Sequence, residues 1–530
     1  MMIGIRLGIF SERRWMVQIA EVESAASPVS SFFVLQLEAG KGGSPVSGEL
    51  SNWTRWYLTA YVPCRSFSGG AFLYLPEVEG ESFGKGDVIM EKSKNSFIAI
   101  GLMLFALFFG AGNLIFPVFM GQNSGVETIP ATIGFLLTGV GLPILGIAAI
   151  GYSGDDLQKL ASRICTPYAI FFTVALYLTI GPAFAIPRTA TTSFEIAFAP
   201  LFSEESRQMA LYGFAFVFFA VSWWLSVTPS KLVDRIGKVI TPVLLAFLAL
   251  LFICAAIAPI GPWQAASKDY IDPMKALSQG FLDGYGTMDA LAAFVFGIIV
   301  VNSVRQYGAT TNEEIAFMTL RSGLIAGLCL GIIYVFLCFI GASSVSELGH
   351  LENGAEVLVG VALHYFGSYG SLIMSVIVLL ACLTTSVGLI TACAEYFGRL
   401  IPVLSYKIWV TVFAFASFCV ALFGLTTIIH AAIPVLMFLY PLTISLMILT
   451  FTDKLFHGHR AVYACATLFT LMPSLYDGIH TAGLQITTLD NVMSNLPFAH
   501  YGLAWVTFCA AGYIVGLIIA HMSPSKEKTA

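Results

Sequence analysis

The stretch that decides the fold is FFGAGNLIFP, Phe108–Pro117, set inside a long apolar segment. Two glycines and an asparagine interrupt the hydrophobic run, and Pro117 follows five positions after Gly112. Each glycine lowers helix propensity by about 1 kcal/mol relative to alanine. Broken backbone at membrane depth is tolerated only where it is buried in protein or lines a cavity. Two readings fit Gly110-Ala111-Gly112: close helix packing through small residues, or an unwound turn. An unwound turn frees carbonyls for a cation and aims the N–H groups of the next half-helix at an anionic group.

The surrounding composition fits a membrane setting. Of 530 residues, 57% are hydrophobic and 11% charged, against about 25% charged in an average soluble chain. The mean hydropathy is +0.83. The net charge of −5 is spread over short loops, and no basic patch points to nucleic acid. The ten cysteines form no CxxC pair and no Cys/His cluster, so they read as small apolar fillers, with neither a metal site nor a disulfide framework.

A spanning helix needs about 20 mostly apolar residues. On that basis twelve spans are predicted, near 97–120, 129–151, 168–187, 209–228, 236–258, 281–303, 323–343, 369–394, 406–424, 428–450, 461–476 and 499–521. The chain is thus read as an all-α polytopic membrane protein. The positive-inside rule orients it N-in/C-in: fifteen Lys and Arg after Met90 fall on the inner side, and only Arg188, Arg207, Lys268 and Lys275 on the outer. No Walker motif, GxSxG or HExxH is present, so the chain reads as neither an ATPase nor an enzyme.

Two further segments have unusual interiors. In FLDGYGTMDAL, Gly284 and Gly286 flank Tyr285, and Asp283 and Asp289 bracket them. Helices 1 and 6 are five apart, the spacing of two inverted repeats, and matched glycine breaks in two halves point to a transport site. The two aspartates read either as direct participants or as solvated residues near the outer end. In helix 8, Thr384, Thr385 and Ser386 are consecutive hydroxyls in an apolar run. They either bond back to the preceding turn or replace the hydration shell of a monovalent cation. GPAFAIPRTATTSFE, Gly181–Glu195, reads as an outer gate or structural bend, with Arg188 and Glu195 on one face if helix resumes. Phe108, Phe109, Tyr285 and Met288 are candidate pocket walls.

FALFFGAGNLIFP, GFLLTGVGLPILG, GPAFAIPRTATTSFE and LTTSVGLI closely resemble the bacterial branched-chain amino acid carrier family, the Leu/Ile/Val:cation symporters. The resemblance runs from Met90 to about 520. It implies kinship with the amino acid–polyamine–organocation superfamily and a LeuT-type 5+5 inverted repeat with helices 1 and 6 broken. The implied activity is sodium-coupled uptake of leucine, isoleucine and valine across the bacterial cytoplasmic membrane, with lipid and small-molecule substrate as the chain's partners and no obligatory protein partner. Carried over by motif, sodium would meet the carbonyls of Ala106, Phe109 and Ala381 and the hydroxyls of Thr384 and Thr385. The substrate carboxylate would meet the N–H groups of Ala111 and Gly112, with Asn113 bracing the break or touching a second ion. The ammonium would meet carbonyls around Gly284, Tyr285 and Gly286. Proton coupling, a passive channel and a non-transporting sensor on the same fold are the alternatives.

The organisation read from the chain is a head (1–89), a transporter domain (90–522, with repeats over 97–258 and 281–450 and two further helices over 461–521) and a tail (523–530). The head carries no spanning apolar run and lies outside the resemblance. MEKSKNSF from Met90 reads like a bacterial membrane-protein start. Lys85-Gly86-Asp87 must be encoded by a purine-rich string six nucleotides before the Met90 codon, in the manner of a ribosome-binding site. The head is therefore expected to be translated upstream sequence, the alternative being a disordered cytoplasmic extension. Intact-mass measurement of the natively expressed chain checks this: a mass beginning near Met90 is expected, and one beginning near Met1 overturns it.

Overall fold

A computed structural model describes residues 3–5, 14–23, 31–40, 53–61, 87–154, 156–227, 245–484, 490–491, 493 and 495–522. The chain divides into two units, Met1–Phe83 and Gly84–Ala530. The first contains an antiparallel sheet in sequence order: β1 (Ile3–Ile5), β2 (Arg14–Glu23), β3 (Ser31–Gly40) and β4 (Trp53–Tyr61). Its central register runs from Arg14 opposite Gly40 to Glu23 opposite Ser31.

The second unit is helical. In chain order it comprises α1 (Asp87–Phe108), α2 (Ala111–Ser124), α3 (Thr128–Leu136), α4 (Leu142–Ser153), α5 (Leu157–Ser162), α6 (Thr166–Leu178), α7 (Ala185–Ala197) and α8 (Glu204–Val227). It continues with α9 (Leu245–Ile257), α10 (Pro273–Asp283), α11 (Asp289–Gln306), α12 (Asn312–Leu348) and α13 (Gly354–Leu400). The last are α14 (Tyr406–Ala421), α15 (Leu425–Thr452), α16 (Arg460–Thr481) and α17 (Ala504–Met522). Among the described residues, seven helices are long and apolar enough to cross a membrane, and three shorter apolar helices accompany them. Residues 236–244 of the fifth predicted span and the 523–530 tail lie outside the described residues.

Local chemistry sets several helix starts. The Thr311 hydroxyl accepts the Glu314 N–H, and the Glu314 carboxylate accepts the Thr311 N–H, a reciprocal cap that opens α12. Asn353 caps α13 through the N–H groups of Ala355 and Glu356. Asp272 does the same for α10 through Met274 and Lys275, with Pro273 in the first position.

Five interruptions give the bundle its shape. The first helical segment breaks between α1 and α2. A π-turn over Leu137–Gly141 separates α3 from α4. Another over Thr179–Ala183, with Gly181 non-helical, separates α6 from α7. A 3₁₀ turn over Gly284–Thr287 separates α10 from α11. Gly367 breaks α13 with φ of 59°. Three placements differ from the sequence reading. Residues 273–280, expected in a loop, join 281–283 of the predicted sixth span in the half-helix α10, whose mixed polar composition hides it from a hydropathy scan. The third segment does not end at Pro187; helix continues to Ala197, because Pro187 sits in the first turn of α7, where a missing N–H costs nothing. Arg188, counted among outer-loop cations, is a buried residue of α7.

Packing pairs the segments in a regular way. Both α1 and α2 pack on α12, α10 packs on α3, and α11 packs on α4. Further pairs are α7 with α13, α8 with α14, and α16 with α15 and α17. At the α3–α10 crossing, a Cβ on Gly280 would lie 2.8 Å from the Ala131 carbonyl carbon. Gly280→Ala should therefore overpack this crossing and cost about 1–3 kcal/mol, read as a lower melting temperature in detergent. Gly213→Ala, at a position with open space around it, should leave the melting temperature unchanged or raise it.

Candidate functional site

The break between α1 and α2 is held open by one side chain. The last helical bond of α1 runs from the Phe109 N–H to the Phe105 carbonyl at 2.8 Å. The next N–H, that of Gly110, donates instead to Asn113 Oδ1 at 3.0 Å. The Ala106 carbonyl thereby loses its helical donor, and Gly110 takes an extended conformation (φ −133°, ψ −165°). Ala111 and Gly112 open the new helix, with no side chain capping its first N–H groups.

Asn113 also turns outward. Its Nδ2 donates to Asp289 Oδ2 at 2.5 Å and lies against the Tyr334 hydroxyl. Tyr334 donates to the same Asp289 oxygen at 2.8 Å. Asp289 opens α11, directly after Met288, which adopts a left-handed conformation (φ 64°). The two helix breaks and α12 therefore meet at one buried polar cluster. All three side chains are buried, and each hydrogen bond matters because an unpaired buried polar group costs about 1–3 kcal/mol.

Arg188 completes the centre. Its Nη1 donates to the Gly286 carbonyl at 2.6 Å and its Nη2 to the Thr287 carbonyl at 3.4 Å. The guanidinium also lies 5.2 Å from the Phe116 ring centroid, within range of a cation–π attraction. A Cβ on Gly112 would fall 2.5 Å from Arg188 Nη2, so glycine there is what lets the guanidinium reach the start of α2. These groups line a small cavity between the two breaks.

Of the expected ion ligands, Thr385 lines this cavity, while Ala106, Phe109, Ala381 and Thr384 are not among its described lining residues. Thr384 and Thr385 both bond back to the Ala381 carbonyl, at 2.8 and 3.1 Å. Thr385 reaches the helix break: a Cβ on Gly110 would lie 3.3–3.4 Å from its methyl and hydroxyl. Gly110, Ala111, Gly112, Asn113 and Thr385 line the cavity, as do Phe108 and Met288. Gly284, Tyr285 and Gly286 are buried at the second break. Tyr285 stacks on Tyr440 (centroids 3.9 Å apart) and, with Met288, lines a larger adjoining cavity.

Sequence reasoning misses two central residues. Tyr334 lies in an unbroken apolar run and gives no signal. Arg188, read as part of an outer gate or bend, is buried at the centre; of the two readings open for Asp289, the buried, central position is the one observed. The usable signal was that an ionisable residue inside a membrane segment is a functional candidate by default. Glu195 does not face Arg188; it pairs with Arg207.

Residues 93–523 match the family of branched-chain amino acid transport proteins. The chain belongs to that family. It is 47% identical over 430 residues to the branched-chain amino acid permease BrnQ of Bacillus subtilis, covering 81% of this chain and 97% of the relative. It is 40% identical over 421 residues to the branched-chain amino acid transport system 2 carrier protein of Pseudomonas aeruginosa, covering 79% and 95%. Among solved structures, it shares a fold with Mhp1, a nucleobase-cation-symport-1 family transporter, in a closed conformation (TM-score 0.54, 15% identity, 82% of this chain and 94% of that one). A manganese transporter of Eremococcus coleocola is similar at TM-score 0.53 and 12% identity, covering 82% and 97%. With its apolar helices, the chain is a multi-pass membrane protein.

The polar cluster sets an order of stability. Tyr334→Phe removes one donor from Asp289 and should cost about 0.5–1.5 kcal/mol. Asn113→Ala should cost more, because Gly110, Asp289 and Tyr334 all lose a partner. Melting temperatures in detergent should fall in the order wild type, Tyr334→Phe, Asn113→Ala.

Proposed function

We propose that the protein carries leucine, isoleucine and valine into the bacterial cell by sodium symport, through twelve spanning helices oriented N-in/C-in. The observation that carries this reading is the meeting of two helix breaks at one cavity. Half-helix ends are the places where a membrane protein can offer N–H groups to a carboxylate and carbonyls to a cation. Apolar walls beside them suit a branched side chain. The family membership and the names of the relatives support the same substrate class.

The helix pairing supports an inverted repeat of five. Packing of α1 and α2 on α12 has its counterpart in the packing of α10 on α3 and of α11 on α4. Exchanging each segment with the one five later turns one contact into the other. The pairs α7–α13 and α8–α14 map onto themselves under the same exchange.

Sodium is supported by oxygen placement. The Ala106 carbonyl, freed by the turn of Gly110 to Asn113, lies on the helix whose broken end Thr385 approaches. Phe109 sits in the break, and the Ala381 carbonyl with the Thr384 and Thr385 hydroxyls adds further hard oxygens. The substrate carboxylate is assigned to Ala111 and Gly112 beside Asn113; the expectation that its ammonium meets Gly284, Tyr285 and Gly286 gives way to the cavity-lining end of the same break, Thr287–Asp289. One observation favours proton coupling as the second reading: Asp289 is a buried carboxylate at the junction of both breaks.

Uptake of labelled isoleucine into proteoliposomes separates the two. Sodium symport predicts accumulation driven by an inward sodium gradient and abolished when sodium is replaced by choline at fixed pH. Full uptake without sodium, driven by an inward proton gradient, overturns the ion assignment. Thr385→Ala should raise the sodium concentration for half-maximal uptake about tenfold while membrane abundance stays near wild type.

A further inference from the structure

We infer that Arg188 and Asp289 hold the two charges of the amino acid substrate, Arg188 its carboxylate and Asp289 its ammonium. This rests on the reading of the cavity between the helix breaks as the substrate site.

Among the described residues that line the cavity, Arg188 is the one basic and Asp289 the one acidic residue. Both are buried, at 5% and 3% exposure. Among the described residues no ion pair joins them. Removing a charge from water costs several kcal/mol unless it is paired. Here the two opposite charges make no direct ion pair and face a common space whose remaining lining is largely apolar. A zwitterion with an apolar side chain is complementary to that arrangement.

The second break already has an occupant. Arg188 Nη1 holds the Gly286 carbonyl at 2.6 Å and Nη2 reaches the Thr287 carbonyl. A substrate ammonium placed on these carbonyls would meet the guanidinium as a like charge. The same guanidinium attracts a carboxylate, and it lies against Gly112, next to the uncapped N–H groups of α2. Its Nε is buried with no hydrogen-bond partner. A carboxylate there can accept from both the guanidinium and the helix start, the charge-assisted arrangement that is roughly twice as strong as a neutral one. The ammonium then turns to Asp289, whose Oδ2 is held in place by Asn113 and Tyr334.

The test is displacement of labelled isoleucine from purified protein in sodium, by isoleucine, by 2-methylbutylamine (no carboxylate) and by 3-methylpentanoate (no ammonium). Arg188→Gln should weaken isoleucine about 10- to 100-fold and leave 2-methylbutylamine within twofold of wild type. Asp289→Asn should weaken isoleucine similarly and leave 3-methylpentanoate within twofold. Parallel loss of isoleucine and both fragments in folded variants, or no loss at all, overturns the assignment. Isoleucinamide on the wild-type protein supplies a measurement that needs no variant. Its neutral carbonyl can accept from backbone N–H groups but cannot neutralise a guanidinium, so it should compete at least about tenfold more weakly than isoleucine; competition within threefold overturns the role of Arg188. If the wild type binds some other amino acid, the branched-chain reading falls, and the same comparison with that amino acid and its truncated forms decides the two residues. If it binds no amino acid, both conclusions fall.

Discussion

Asn113 is the constraint on which the centre of the protein depends. One side chain accepts from the Gly110 N–H, donates to Asp289 and lies against the Tyr334 hydroxyl. The first contact ends α1, the second ties that break to the one before α11, and the third fixes both to α12. Without the first, the Gly110 N–H would return to the Ala106 carbonyl and helix would run through. The residue works in both directions because an amide is donor and acceptor at once; a carboxylate or an amine in its place would lose one half of the function.

Away from water, every backbone group that leaves a helix needs a new partner. The break before α11 is satisfied partly within its own segment, where the Thr287 hydroxyl donates to the Gly284 carbonyl and the Met288 N–H to the Tyr285 carbonyl, and partly by a guanidinium that reaches in from α7 to the Gly286 and Thr287 carbonyls. At the break after α1, Asn113 takes up the Gly110 N–H.

How much of this the sequence discloses follows from the physics of each signal. The α1–α2 break was legible because Gly110, Gly112 and Asn113 are helix-weakening residues concentrated in a run that is otherwise apolar. The half-helix α10 was not, since its apolar and polar residues alternate around the helix and its mean hydropathy resembles a loop. The depth of Arg188 was not legible either. It depends on the π-turn over Thr179–Ala183 and on how far helix resumes past Pro187, and both are set by packing. Tyr334 acquires meaning only when α12 lies against α2, a contact between residues more than two hundred positions apart.

Gly112 and Arg188 lie 76 positions apart, yet they share one volume: a single methyl on the first would occupy the place of the second's Nη2. Neither position can be inherited alone. A descendant that acquires alanine at 112 must withdraw the guanidinium from the start of α2, and one that trades the arginine for a smaller residue releases the glycine from its steric duty. The two sites should drift together or not at all, so that the pair, and neither residue separately, is the unit on which selection acts.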